Sequence, residues 1–138
     1  MPKHAAYRNV KSNKVEINGI KFASPGESER YLEHLIRIAK GENIEVFLQP
    51  KFELQPKFRK NGVLYRPIGY IADFEIMYGD GRREIEDVKG WGGYTTPEFK
   101  IKRKLFEFKY PGLSLILLKR LGKPKVIQAL KDELAGLK

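Results

Sequence analysis

The sequence contains no cysteine and only two histidines, His4 and His34. The first absence excludes disulfides and thiolate zinc sites, and it suits a reducing compartment such as the cytoplasm. The second puts any site built on several imidazoles out of reach. No apolar run approaches the roughly 18 residues that a membrane-crossing helix needs, so no membrane partner is expected. The stretch Met1-Pro2-Lys3-His4-Ala5-Ala6-Tyr7-Arg8 is basic and has no apolar core, so it is not expected to act as a signal peptide. Acidic residues are also in short supply. There are 17 against 27 lysines and arginines, a net charge of +10 in 138 residues. Such a chain is attracted to phosphate backbones, but ribosome-associated and membrane-surface proteins are equally basic. Charge alone leaves the partner open.

The length suits one domain. Residues 1–14 are basic and aperiodic and read as a flexible arm, which leaves 15–138 as a single folded domain. Within the arm, Tyr7, Arg8 and Lys11 are placed to touch backbone phosphate. Val15 to Phe22 alternates apolar and polar residues around Asn18-Gly19, the signature of a small hairpin. Ser24-Pro25-Gly26-Glu27 opens a helix: serine caps, proline suits the first turn, and Glu27 stands where a capping box places its carboxylate. Leu32, Leu35, Ile36 and Ala39 give that helix an apolar face, and Gly41 stops it.

Three strands are expected next: Ile44 to Leu54, broken near Pro50; Gly69 to Tyr78; and Arg83 to Lys89. The last two join through a tight Tyr78-Gly79-Asp80-Gly81 hairpin, and Pro56 to Pro67 reads as a basic turn. Thr96-Pro97-Glu98 opens a second helix through about Phe108, with Ile101, Leu105 and Phe108 as its apolar stripe. Leu113 to Leu118 is a continuous apolar run, expected as a strand covered on both faces. A helix from Lys125 to Leu137 follows Pro124. The order predicts an α/β fold whose second helix crosses over to bring the last strand into a mixed sheet.

One acidic pair stands out against the basic background. Asp73 lies inside the apolar stretch Tyr70-Ile71-Ala72-Asp73-Phe74, where an aspartate disfavours the strand and costs desolvation unless it binds something. Asp87 and Lys89 are two residues apart on the next strand, so they share a face. The hairpin makes the two strands neighbours, and the two carboxylates can converge on a cation. Phosphodiester hydrolysis uses such a set: carboxylates that hold magnesium, and a lysine that orients water and stabilises charge. The plain alternatives are a solvated Asp-x-Lys strand edge and a cross-strand Asp73–Lys89 ion pair.

The ordered set resembles the PD-(D/E)XK nuclease superfamily, whose core runs helix, three strands, helix, strand. Its signature here is Ile71-Ala72-Asp73-Phe74, then Glu86-Asp87-Val88-Lys89-Gly90, with Ala72 where the eponymous proline would stand. The chain is further similar to a small phage and prophage family of that superfamily, akin to Holliday-junction resolvases. The matching pattern is Ser24, Glu27, Arg30-Tyr31, Leu48-Gln49-Pro50, Phe52, Tyr70, Asp73-Phe74, Glu86 to Gly90, and Phe99-Lys100-Ile101-Lys102 with Leu105. The resemblance covers about residues 15 to 120. It implies a restriction-endonuclease-like αβββαβ core, with a mixed central sheet flanked by helices. It implies magnesium, or manganese, on Asp73 and Asp87, and water or phosphate contact by Lys89. It implies DNA as substrate, with branched DNA in phage recombination or replication as a candidate, cut by a homodimer in the host cytoplasm.

A helix glutamate often joins such sites. Glu27 matches the family spacing but also suits a capping box. Glu29 is the alternative, about 60° from Leu32 and nearer the apolar face. Glu86 should point away from Asp87, toward the surface or the second helix. Gln49 is a weaker site candidate. Lys100, Lys102, Arg103 and Lys104 read as a phosphate-contacting face or as a solvated one. Trp91 and Tyr94, set among three glycines, are placed to stack on a base or simply to pack. His34 reads as structural. A nuclease-like fold that only binds nucleic acid is the competing function.

Overall fold

The computed structural model describes residues 15–90 and 96–138. Trp91, Tyr94 and the arm over residues 1–14 lie outside them. The fold is α/β, and the described chain groups into two compact units, one from residues 15–42 and Lys119–Lys138, the other from Asn43–Leu118. No described helix is long and apolar enough to cross a membrane.

The first unit starts with a hairpin of β1 (Val15–Ile17) and β2 (Ile20–Phe22). Asn18 and Gly19 both take positive φ, 51° and 81°, as a two-residue type I′ turn demands. Val15 faces Phe22 and Ile17 faces Ile20, so one side of the hairpin is wholly apolar, and Glu16–Lys21 occupies the other. Helix α1 (Pro25–Ala39) follows. The Ser24 hydroxyl oxygen accepts the Glu27 N–H at 3.3 Å, and the hydroxyl donates to Glu27 Oε2 at 3.0 Å. The helix ends at Lys40, whose N–H reaches Ile36 O at 2.9 Å, and Gly41 leaves with φ 98°. The Phe22 ring lies 5.1 Å from Tyr31, centroid to centroid.

Helix α3 (Pro124–Gly136) packs along α1. The turn before it is tied to the start of α1. Gly122 donates its N–H to Glu29 Oε1 at 2.9 Å, and Arg120 reaches Glu33 at 3.0 Å. A Cβ on Gly122 would sit 2.2 Å from the Pro25 carbonyl carbon, and its φ is +68°. Both facts require glycine. His34 is fully buried in α1, with Arg37 Nη1 3.3 Å from its Nδ1.

The second unit is organised by one long antiparallel ladder. Strand β3 (Ile44–Leu48) runs into β4 (Lys51–Gln55) and then β5 (Phe58–Lys60). The return path is β6 (Val63–Tyr65), β7 (Ile68–Ile71) and β8 (Phe74–Tyr78). Partners stay in step from Ile44↔Tyr78 to Glu53↔Gly69. A bulge between Glu53 and Gln55 shifts the pairing by one residue, and the ladder continues to Lys60↔Val63. Asn61-Gly62, with φ 52° and 76°, closes the tip.

Two breaks face each other across this ladder, at Gln49-Pro50 and at Ala72-Asp73. Gln49 donates its N–H to Asp73 O at 2.9 Å, and Ala72 donates to Pro50 O at 3.1 Å. Proline cannot donate, and Gln49 takes a left-handed φ of 50°. The ladder therefore bends. Beyond the bend, β4 and β7 form a separate two-stranded sheet, while β3 and β8 stay in the central one. The expected strand over 69–78 is thus two strands, and the expected turn over 56–67 is the β5–β6 ribbon with its flanks.

Strand β9 (Arg83–Lys89) pairs antiparallel with β8 through the Tyr78–Arg82 turn. Helix α2 (Pro97–Lys109), capped by Thr96, leads to β10 (Ser114–Lys119) beside β9. The central sheet reads β10-β9-β8-β3 and is mixed, and the β9–β10 connection has the length and helix that a crossover requires. The apolar run expected to be covered on both faces lies instead at the sheet edge. Leu115 is buried, while Ile116 to Leu118 are half-buried. The stripe assigned to α2 also needs correction. Phe99 and Phe106, seven residues apart, enter the core with Phe52, Leu54, Tyr70, Ala72, Ile85 and Leu115. Ile101 and Phe108 face outward, the latter 87% exposed, and Leu105 packs at the edge of the cluster.

Candidate active site

The bend in the ladder places Asp73. Its backbone N–H donates to Glu86 O at 3.0 Å, which joins it to β9. Its side chain then does what a strand carbonyl would otherwise do: Oδ2 accepts the Val88 N–H at 2.6 Å. Val88 stands between Asp87 and Lys89. Asp73 is therefore fastened to the segment that carries the other two candidates.

Asp87 projects from β9 on the side of the aromatic core and is only 5% exposed. The Tyr70 hydroxyl donates to its Oδ2 in a short hydrogen bond. Lys89 Nζ lies 3.3 Å from the same oxygen and 4.3 Å above the Phe99 ring. Among the described residues, Oδ1 of Asp87 has no hydrogen-bond or ion-pair partner. Burial, first, and the charge and hydrogen bond of Asp87, then Asp73, push the Tyr70 phenol well above its ordinary value, with Arg103 pulling the other way. Asp87, Asp73 and Arg103 thus all act on the Tyr70 phenol, and Lys89 pairs with Asp87. Asp87 and Lys89 share a face, as period-two alternation predicts, and Asp73 is joined to Val88 between them. The Asp73–Lys89 ion pair weighed for them is replaced by Asp87–Lys89.

Tyr70 is the residue to which sequence reasoning gave no role. Its signal was there: a tyrosine in a buried strand must find a partner for its hydroxyl, and an aspartate sits on the neighbouring strand. Glu86 corrects another expectation. It points away from Asp87 as period two demands, but it is 2% exposed and stands opposite Phe74, so it is no surface residue.

The remaining candidates divide. Glu27 and Glu29 belong to the first unit and both are buried. Glu27 accepts from the Ser24 hydroxyl, and Glu29 accepts from the Gly122 N–H and forms an ion pair with Arg120 at 3.7 Å, so each has a local structural role. Gln49 is exposed and joined through its backbone to Asp73. A left-handed φ on a non-glycine residue is costly and is held here by the bend. On α2, Lys102 pairs with Glu98 at 3.2 Å, whereas Lys100, Arg103 and Lys104 are exposed and form no ion pair among the described residues. Of these, Arg103 is the one whose charge reaches Tyr70.

No group of three or more His, Asp or Glu side chains placed to hold a metal ion occurs among the described residues. Asp73 and Asp87 nonetheless both offer carboxylate oxygens, Asp73 fastened to Val88 and Asp87 one residue before it. Magnesium is commonly held by one or two carboxylates, its other positions filled by water and substrate phosphate. Oδ1 of the buried Asp87, without a partner among the described residues, fits that role.

The family described as "Protein of unknown function (DUF1064)" matches residues 7–125. No curated protein and no solved structure matches the chain.

Proposed function

We propose that this chain, which belongs to the DUF1064 family of proteins of unknown function, is a metal-dependent endonuclease that hydrolyses DNA phosphodiester bonds with Asp73, Asp87 and Lys89. The observation that carries the proposal is Asp87. A carboxylate 5% exposed is costly to bury, and here one of its oxygens is held by Tyr70 and Lys89 while the other has no partner among the described residues. That cost is offset when this second oxygen binds a cation.

Asp73 and Asp87 would hold magnesium or manganese, which when bound neutralises phosphate charge and makes a bound water more acidic. Tyr70 positions Asp87 by donating to Oδ2. Lys89 keeps its ammonium beside Asp87 and half-open to solvent, where it can orient the attacking water and stabilise charge on the phosphate. The Val88 N–H fixes the Asp73 carboxylate against the same strand. The exposed cations of α2 would meet the backbone of the substrate. The order α1, then β3, β8 and β9, then α2 and β10 supports a restriction-endonuclease-like core. A branched DNA substrate cut on two strands would call for two copies, so a homodimer belongs to this reading.

A second reading has an observation of its own. Asp73 Oδ2 replaces a ladder acceptor for Val88, a structural job that a catalytically silent nucleic-acid-binding module would keep. One experiment separates the two. The protein and Asp87→Asn are incubated with a labelled four-way DNA junction, a linear duplex and single strands, in magnesium, manganese or chelator. The nuclease reading expects metal-dependent cutting that falls by about a hundredfold or more in the variant. Binding without cutting in either metal, unchanged by the substitution, would leave the binding module standing.

A further inference from the structure

The β5–β6 ribbon is built unlike the rest of the second unit. Every residue from Pro56 to Gly69 is exposed. Phe58 and Tyr65 stack on each other with centroids 4.7 Å apart and planes 8° from parallel, and both rings stay open to solvent. Val63 and Leu64 at the tip are exposed as well. Lys57, Arg59, Lys60 and Arg66 crowd into this stretch without one acidic residue, and none forms an ion pair among the described residues. The pairing Phe58↔Tyr65, Arg59↔Leu64, Lys60↔Val63 mixes cations with apolar side chains on both faces. Neither face can pack against a core. A cationic, apolar-tipped ribbon held in fixed register by the ladder below it is a shape with a purpose outside the fold.

We infer that this ribbon is an arm that enters the groove of a DNA double helix. Charge complementarity selects a polyanion as the occupant. Shape selects the duplex: paired strands lie about 4.8 Å apart, and the major groove of B-form DNA is about 12 Å wide and admits a two-stranded ribbon. The deep, narrow major groove of A-form RNA does not. The four cations would contact the groove's phosphate walls, and Val63, Leu64 and the Phe58–Tyr65 stack would meet the groove floor. The inference shares the nucleic-acid partner with the nuclease reading, but it concerns a surface outside the acidic pair.

Fluorescence anisotropy in chelator tests it. Wild type, a triple variant (Arg59→Ala, Lys60→Ala, Arg66→Ala) and a tip variant (Val63→Ser, Leu64→Ser) are titrated into a labelled DNA duplex across a salt series, with an RNA duplex of the same sequence alongside. Thermal midpoints confirm that these exposed changes leave the fold intact, and sedimentation velocity gives the oligomeric state. The triple variant is expected to bind DNA at least about tenfold more weakly and to lose two to three from the slope of log affinity against log salt. The tip variant is expected to bind more weakly with its slope unchanged. Unchanged affinity and slope, equal affinity for RNA, or no duplex binding by wild type would each overturn the arm. So would a tip variant that turns a dimer into a monomer while DNA affinity holds, because the ribbon would then be a self-association surface. Cutting in magnesium is read separately. Binding that depends on the ribbon without any cutting overturns the nuclease alone, and cutting by a triple variant that binds normally overturns the arm alone.

Discussion

The chain makes two hairpins to the same local recipe. Each has two three-residue strands, and each turns on Asn-Gly with both residues at positive φ. Their fates differ. In β1–β2 the register collects Val15, Ile17, Ile20 and Phe22 on one side, and Ile17 and Phe22 are buried. In β5–β6 the register puts Lys60 beside Val63 and Arg59 beside Leu64, and all six strand residues remain exposed. The turn decides that a hairpin forms. Which residues share a face decides whether it is absorbed into a core or left standing. A two-stranded ribbon alone is marginal in water, so β5–β6 takes its order from the ladder that continues beneath it.

The comparison can be broken most forcefully at the aromatic residues. Phe22→Ala removes a buried ring that packs on Tyr31 and is expected to cost about 3 kcal/mol or more. Tyr65→Ala is expected to stay within about 0.5 kcal/mol, as exposed substitutions do. Urea denaturation of the two variants reads the difference, and similar losses would mean that β5–β6 is packed after all.

A second measurement finds where along the ladder burial begins. Tyr70 lies on the strand that follows β6, and its phenol holds its proton in the fold while an unfolded tyrosine loses it near pH 10.0. Above that pH the unfolded chain binds fewer protons than the native one. Stability then falls as pH rises, by up to about 1.4 kcal/mol per pH unit from this group. Tyr70→Phe should flatten that alkaline loss. Identical alkaline profiles for wild type and Tyr70→Phe would refute the buried phenol.

The smallest effects are at the turns. Gly19→Ala strains a positive φ in a packed hairpin and should cost about 1 kcal/mol. Gly62→Ala meets the same strain but should leave global stability nearly unmoved and instead speed amide exchange over residues 58–65. A global loss as large at Gly62 as at Gly19 would show that the ribbon and the core fold as one.

Local chemistry was the legible part of this sequence. Ser24-Pro25 and Thr96-Pro97 mark helix starts because capping involves residues three apart. That Asp87 and Lys89 share a face and that Asp73 lies beside their strand was legible because it needs only period two and a short hairpin. The face of α2 was not. Phe99 and Phe106 and, equally, Ile101 and Phe108 are seven residues apart, so helical periodicity offers two apolar stripes and only the sheet chooses between them. Nor was the bend at Ala72-Asp73, which nothing in Tyr70-Ile71-Ala72-Asp73-Phe74 announces. It is imposed across the ladder by Gln49 and Pro50, and with it come the Asp73–Val88 bond and the meeting of Tyr70 with Asp87. Glu86 misled because charge suggested solvent, whereas its place opposite Phe74 buries it.

The tie between Glu29 and Gly122 also joins segments that are far apart in the chain. In chain order β1, β2 and α1 precede Asn43–Leu118, yet the turn that seats on Pro25 and the helix that packs along α1 follow it. A chain cut off before Gly122 therefore keeps the residues of the acidic pair and of the ribbon, while α1 lacks the helix that packs along it.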